Sequence, residues 1–319
     1  MLFRSVTTVR AVGGILDLET KLRDNIKNGT EVGPRILTAN QAVTCRGGHM
    51  EGSVAIGADT KEEIEREIKR LYEEDVDLIK LMITGGVLDA TEVGVPGKLL
   101  MSPEQVKIAC DAAHKYGLKV AAHCEGVEGV KVGLKYGVDS IEHGAMPDEE
   151  MAEYFNNGTS WLCATFSPVL PFVMFDPEIS KVDEVGRYNG EVLFKGMIEC
   201  VKYCLKHNIP VGLGNDLGCP FVTHYDYWRE LCYFKKYAEV TNAFALYTAT
   251  LNNANLIGLG DQIGSIEENK LADLIVVSNN PLDDLKALRK VDLVFTNGKL
   301  IIPNYTKDQF IEKQLNRYL

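Results

Sequence analysis

Residues 119–143 read KVAAHCEGVEGVKVGLKYGVDSIEH, and this stretch decides the fold. Lys119–His123 and Ser140–His143 are short apolar runs bounded by turn residues, the pattern of buried strands. Between them, Val127–Tyr136 carries helical spacing. Strand, helix and strand in so few residues make a crossover unit with parallel strands. Both strands close on a histidine.

The unit repeats in both directions. Toward the N-terminus, Val6–Val9 is a predicted strand, Ile15–Asn28 a helix stopped at Gly29, and Arg35–Ala39 a strand after Pro34. Thr60 with Glu63 is a capping-box pattern that opens a helix to Glu74. Asp77–Ile83 is a strand. Ser102 caps the next helix, with Pro103 at its first position and Gly117 at its end. Toward the C-terminus come a helix at Asp148–Asn156, a strand at Trp161–Ala164, a long helix at Glu191–His207 and a strand at Val211–Gly214. Helices at Tyr227–Ala238 and Asn242–Leu251 follow. Near-continuous apolar strands alternating with amphipathic helices predict a parallel sheet covered by helices.

An open doubly wound sheet and a TIM barrel both satisfy that pattern. No GxGxxG follows the first strand, which weakens the dinucleotide-binding version. Lys80, His123, His143 and Asp216 each lie in or just beyond a different strand. A barrel collects its chemistry at the C-terminal ends of many strands, whereas an open sheet concentrates it at one switch point. The expectation is a (β/α)8-type barrel over residues 1–262, with seven strands found where eight are needed. Short strands at Gly264–Ile266, Asp273–Val277 and Leu293–Thr296, with turns at Asn279-Asn280-Pro281 and Asn297-Gly298, predict a β appendage over residues 263–302. Residues 303–319 are expected to hold a terminal helix, Thr306–Tyr318.

Composition narrows the function classes. The chain has 319 residues, 34 Lys and Arg against 45 Asp and Glu, and a net charge of −11. That balance, with no basic stripe, argues against a nucleic-acid partner and an anionic membrane surface. No apolar run approaches the ~18 residues of a membrane span. The eight cysteines are scattered, with no CxxC, and are read as reduced thiols of a cytoplasmic protein. Cys200 and Cys204 are read as packing residues.

Histidine is the commonest metal ligand, and carboxylates complete hard or borderline sites. Lys80 sits in Leu78-Ile79-Lys80-Leu81-Met82-Ile83, where a buried cation is costly unless neutralised, paired or modified. Its alternative is an edge lysine that snorkels. A Cys124–His123 nucleophile fails, because adjacent strand residues point to opposite faces.

The chain resembles the amidohydrolase superfamily, in its imidazolonepropionase-like and prolidase-like branch. The matching text includes Gly33-Pro34-Arg35, Gly47-Gly48-His49, Ile79-Lys80-Leu81-Met82, Thr84-Gly85-Gly86 and Ala122-His123-Cys124. Ile141-Glu142-His143-Gly144, Gly214-Asn215-Asp216, Ala272-Asp273-Leu274 and Asn297-Gly298-Lys299 continue it in the family's order. The resemblance implies a distorted TIM barrel with a small β-sandwich and two zinc ions. It implies that Lys80 is carboxylated and bridges them, that His123 and His143 bind the second metal, and that Asp216 binds the first and relays the proton. His49 and His224, in predicted loops, are candidate substrate contacts; an exposed loop histidine is the alternative for each. Arg46 and Arg187 are candidates to pair with a substrate carboxylate.

The family also places a His-x-His pair on its first barrel strand. The six histidines here include no two spaced i, i+2. The absent pair and the absent eighth strand suggest a chain shortened at its front, with the first strand missing, a remnant of the β-sandwich, and Met1–Ser5 foreign to the family. Such a chain is expected to be impaired. The expected reaction is metal-dependent hydrolysis of an amide bond in a dipeptide or N-acyl amino acid, a small-molecule partner. Hydrolysis of a cyclic amide, or deamination, is the alternative within enzymes; a ligand- or metal-binding remnant without turnover is the other. A homo-oligomer is compatible with the sequence.

Overall fold

The computed structural model describes residues 5–302 and 306–319. Met1–Arg4 and the first residues after the 302/303 boundary lie outside the described residues. The strands are β1 (Thr8–Ala11), β2 (Arg35–Thr38), β3 (Ala42–Thr44), β4 (Ala55–Gly57), β5 (Leu78–Met82), β6 (Lys119–Cys124), β7 (Ser140–His143), β8 (Trp161–Ala164) and β9 (Val211–Leu213). Three more follow: β10 (Leu274–Val276), β11 (Leu293–Thr296) and β12 (Lys299–Ile301).

The chain is an α/β fold built on a parallel sheet of seven strands in the order β4-β3-β5-β6-β7-β8-β9. This sheet differs from the expected seven in its first members. β1 and β2 pair in parallel with each other as a separate two-stranded sheet. The short runs β3 and β4 take the places at the edge. β2 still meets β5, because the Asp77 amide donates to the Thr38 carbonyl at 2.8 Å.

Crossover helices bury the outer face of the sheet. The helix Lys61–Glu73 buries Ile64, Ile68 and Leu71, and its capping box is formed in both directions by Thr60 and Glu63. Pro103–Lys115 buries Val106, Ala109, Cys110 and Ala113, with Ser102 and Gln105 closing a second capping box. The i, i+3, i+4 spacing of these apolar residues is what lets one helix stripe face the sheet. The main core cluster joins them to Ile79, Leu81, Val120, Ala122, Ile141, Leu162 and Val211. Alternation then sends Lys80, Ser140 and Glu142 to the opposite face, away from that cluster.

That second face curls inward. Arg10 on β1 donates to Ser140 Oγ at 2.9 Å and to both Glu142 oxygens at 2.8 Å, although β2, β5 and β6 stand between its strand and β7. Arg10 Nη2, shared between the two carboxylate oxygens, closes the charge of both groups inside the fold.

The far edge of β9 is met by side chains. The Asn253 carboxamide accepts from the Leu213 amide at 2.8 Å and donates to its carbonyl at 2.7 Å; Asn252 donates to the Val211 carbonyl at 2.6 Å. Asn252 ends a π-helical turn, Thr248–Asn252, that replaces the last part of the expected helix, and Asn253 begins the α-helical turn after it.

β10, β11 and β12 form an antiparallel sheet with its own small core of Val291, Val294 and Ile301. Asn297 and Gly298 both have positive φ, the type I′ pattern of a two-residue hairpin. Gly264–Ile266, expected as a strand, is turn and bend, and Ile266 is exposed. Arg35 on β2 ties this sheet to the rest through Asp273 at 2.7 Å. The terminal helix is shorter than expected, Gln309–Leu315, and docks through Glu312 on the buried Arg229 at 2.9 Å. The long helix begins at Glu184 rather than 191, capped by Asp183. All eight cysteines are free, and Cys200 and Cys204 are core residues. Among the described residues no helix is long and apolar enough to cross a membrane.

Candidate metal centre

Lys80 lies in the middle of β5 and is 2% exposed. Burial pushes its ammonium value down, with Glu142 and Asp216 pulling the other way. Burial would also raise the Glu142 carboxyl, but Arg10 and Lys80 hold it below its ordinary value. One buried carboxylate thus has the Arg10 guanidinium and the Lys80 amine as its neighbours.

His123, the fifth residue of β6, is buried, and its Nε2 stands 3.1 Å from the Gly85 carbonyl. Strict alternation would turn His143, one position beyond Glu142, toward the outer core. It does not turn that way, because its φ is 70°. The left-handed backbone swings the ring back, so that it meets the His123 ring edge-on with centroids 4.8 Å apart. A non-glycine residue in this region costs on the order of 1–3 kcal/mol, and such strain clusters at functional sites. Asp216, just past β9, repeats the device with φ 52°.

Burial drives the protonation states. It pushes His143 down to about 4, against the pull of Asp216, and His123 well below the ordinary imidazole value. Both rings are therefore neutral at pH 7, the form that offers a lone pair to a metal. Ligand atoms of His123, Glu125 and His143 all lie within 4.8 Å of one another. Two neutral imidazoles are donors suited to zinc, and the Glu125 carboxyl can join them on losing its proton, so these residues fit a metal ion. Asp216 and Lys80 bear electrostatically on His143 from the same space.

His49 joins this group: its ring stacks on His123 at 4.4 Å, and its Nδ1 is 2.8 Å from Asp89 Oδ2. The space at Gly86 shows how tightly these side chains converge. A Cβ built there would stand 3.0 Å from His49 Cε1, 3.2 Å from Glu125 Oε2 and 3.4 Å from His123 Nε2. His224 differs, being exposed with its ring against Tyr225. Arg46 is taken by Asp59 and Glu63, and Arg187 donates to the carbonyls of Val173 and Phe175.

Glu125 escaped the sequence reading. Burial raises its carboxyl to about 8, and it accepts from the Val87 amide at 2.8 Å. The signal was available in part: Glu125 follows His123 by two positions, directly beyond the end of β6 at Cys124, where a barrel of this type places its chemistry. Asp89 and Thr165, which touch His49 and His143, left no such signal.

The sequence of residues 1–301 matches the model of the amidohydrolase family. The chain belongs to the amidohydrolase family. This amidohydrolase is 25% identical over 305 residues to an ochratoxinase from Aspergillus niger, an alignment covering 86% of this chain. The chain spans 62% of the length of that relative. It is 26% identical over 312 residues to an imidazolonepropionase from Treponema denticola, covering 94% of this chain and 67% of the other. A crystal structure from Bifidobacterium longum, provisionally described as a prolidase, superposes with a TM-score of 0.92 at 34% identity, over 99% of this chain and 78% of that one. A Xaa-Pro dipeptidase with bound methionine gives a TM-score of 0.83 at 30% identity, over 94% and 76%. The parallel sheet and its helices are thus those of barrel-type amidohydrolases.

Proposed function

We propose that the chain is a metal-dependent hydrolase of an amide C–N bond, acting on a dipeptide or an N-acyl amino acid. The observation that carries this reading is the convergence of His123, Glu125 and His143 within 4.8 Å, with Lys80 and Asp216 near enough to act electrostatically on His143. The similarity to prolidase-type structures supports the substrate class.

Zinc is the proposed metal, held by His123, His143, Asp216 and a carboxylated Lys80. Burial favours the neutral amine of Lys80, and a neutral amine can add carbon dioxide with release of a proton. The product is an anion, which suits a position between cations better than an ammonium does. Bound zinc supplies Lewis acidity toward a carbonyl oxygen and lowers the pKa of a coordinated water. Asp216 accepts the proton of the attacking water and returns it to the leaving nitrogen. His49, held by Asp89, faces the substrate's side of His123, and His224 on its exposed loop contacts the more distant part of the substrate. Since no two histidines are spaced i, i+2, this chain offers fewer imidazole ligands than a two-zinc site takes in the family it resembles. We infer that turnover by the chain as given is low.

The relative that is an imidazolonepropionase supports a second reading, hydrolysis of a cyclic amide. A zinc-supplemented panel of dipeptides, N-acyl amino acids and cyclic amides separates the two. Turnover that vanishes in Lys80→Ala and Asp216→Asn is expected. Turnover unaffected by both substitutions would overturn the assignment, and zinc uptake with no turnover would leave only a metal-binding role.

A further inference from the structure

We propose that Glu230 and Thr165 form a positioning relay for His143. Glu230 fixes the turn that follows β8, and Thr165 on that turn holds the His143 ring with Nε2 directed into the site. The relay deepens the metal-site reading above and rests on it for its consequence in metal binding.

The chain of contacts is continuous. Glu230 sits on the helix Tyr227–Ala238 and is completely buried. Its Oε1 accepts from the Phe166 amide at 2.6 Å and its Oε2 from the Ser167 amide at 2.8 Å. Ser167 Oγ also donates to Oε2. A buried carboxylate costs several kcal/mol unless its lone pairs are used. Here three donors use them, and two are the consecutive backbone amides immediately after Thr165. The turn therefore cannot shift without stranding either the carboxylate or those amides.

Thr165 is itself buried, and its Oγ1 lies 2.7 Å from His143 Nδ1. Ala164, the last residue of β8, accepts from the Gly214 amide at 2.9 Å, and a Cβ on Gly214 would stand 3.3 Å from Thr165 Cγ2. The threonine is thus clamped on both sides. A hydroxyl can either accept from Nδ1–H or donate to Nδ1; in the relay the Thr165 oxygen accepts, so that the neutral ring carries its proton on Nδ1 and leaves the Nε2 lone pair free. Fixing tautomer and ring direction from behind is how outer partners govern metal-binding histidines. The need is acute at His143, because its left-handed backbone, at φ 70°, takes the ring off the alternation that β7 would otherwise impose.

Two measurements on Thr165→Val, Glu230→Gln and the double variant test the relay. Ring-nitrogen NMR of the metal-free protein reads the tautomer of His143 directly. The Nδ1–H form is expected in the parent, and a mixture of both forms in each variant. Zinc affinity is read by competition with a chromophoric chelator. Each single variant should bind roughly 10–100-fold more weakly. The double variant should bind no more weakly than Thr165→Val, because both act on one ring. Unchanged tautomer in Glu230→Gln, or fully additive losses in the double variant, would overturn the relay. If Glu230→Gln does not fold, Glu230→Asp, one methylene short of the turn, is scored by the same outcomes. Should His143→Ala bind zinc as the parent does, the metal-site reading fails on its own, while the tautomer comparison still decides the relay.

Discussion

Replacing Arg10 by methionine removes one half of the ion pair that closes the inner face of the sheet. Arg10 Nη2 lies 2.8 Å from each Glu142 oxygen, with 13% of the Arg10 side chain and 5% of the Glu142 side chain exposed. Breaking a buried pair from one side costs about 3–5 kcal/mol, because the other charge stays behind. Glu142 keeps the Ser140 hydroxyl at 2.7 Å, and Lys80 can take up part of the lost positive charge. Both compensations point to the low end, about 3 kcal/mol. An unfolding entropy of about 2.1 cal/mol/K per residue gives roughly 0.7 kcal/mol/K for a chain of this size, so Tm should fall by about 4–5 °C. Replacing both partners, Arg10→Met with Glu142→Leu, should recover most of that loss, since an apolar pair of similar shape leaves no charge unpaired. Differential scanning calorimetry at one scan rate, with chelator present, measures all three proteins. A single variant melting within about 1 °C of the parent, or a double variant melting as low as the single, would refute the reasoning.

Three further outcomes follow from other parts of the molecule. Gly86→Ala has no backbone penalty of left-handed type but sets a methyl against His49, Glu125 and His123, so zinc affinity should fall about tenfold or more while Tm moves by less than about 2 °C; equal zinc affinity by chelator competition would contradict it. Asn253→Leu leaves the Leu213 amide and part of its carbonyl's bonding unmet, which should cost about 1–3 kcal/mol by thermal melting, and Asn253→Asp should recover only the bond to the amide. Burial raises the Glu312 carboxyl, but hydrogen bonding with Asp226 and the charges of Arg229 and Lys307 outweigh it and hold the value at about 2. A depressed carboxyl stabilises fully above its unfolded value of about 4.5 and loses that contribution as pH falls toward 2; Glu312→Gln should therefore flatten the acid limb of a Tm–pH profile in that window.

Much of the fold was legible because the signals were local. Thr60 with Glu63, and Ser102 with Pro103, mark helix starts through hydrogen bonds made within four residues. The asparagine–glycine turn at 297–298 was readable for the same reason, although the three-residue strand after it was too short to show a period. β3 and β4 escaped likewise, with three residues each. The long helix starts earlier than its expected Glu191; Gly186 and Gly190 dilute the helical pattern of its first turns, which Asp183 caps. At the site, strand order and side-chain chemistry singled out Lys80, His123, His143 and Asp216 as candidates, and of these the structure brings the ligand atoms of His123 and His143 together. Which way His143 points was not legible, since it depends on one backbone dihedral that no neighbouring residue type dictates. Thr165 and Glu230 were invisible for a different reason: their roles arise from contacts across 22 and 63–64 residues, and each alone is an ordinary side chain.

The carboxamides that meet β9 also decide where the protein is vulnerable on heating. A strand normally satisfies its edge with another backbone, which unravels only when the sheet does. Here the edge is covered by Asn252, the last residue of a π-helical turn, and Asn253, which follows it. Opening that turn bares a row of apolar, hydrogen-bond-hungry backbone at Val211–Leu213 while the remaining six strands stay paired. An exposed edge of that kind recruits other chains. Aggregation should therefore begin from a nearly native state, ahead of global unfolding, and the 248–256 segment is where a solubilising substitution belongs.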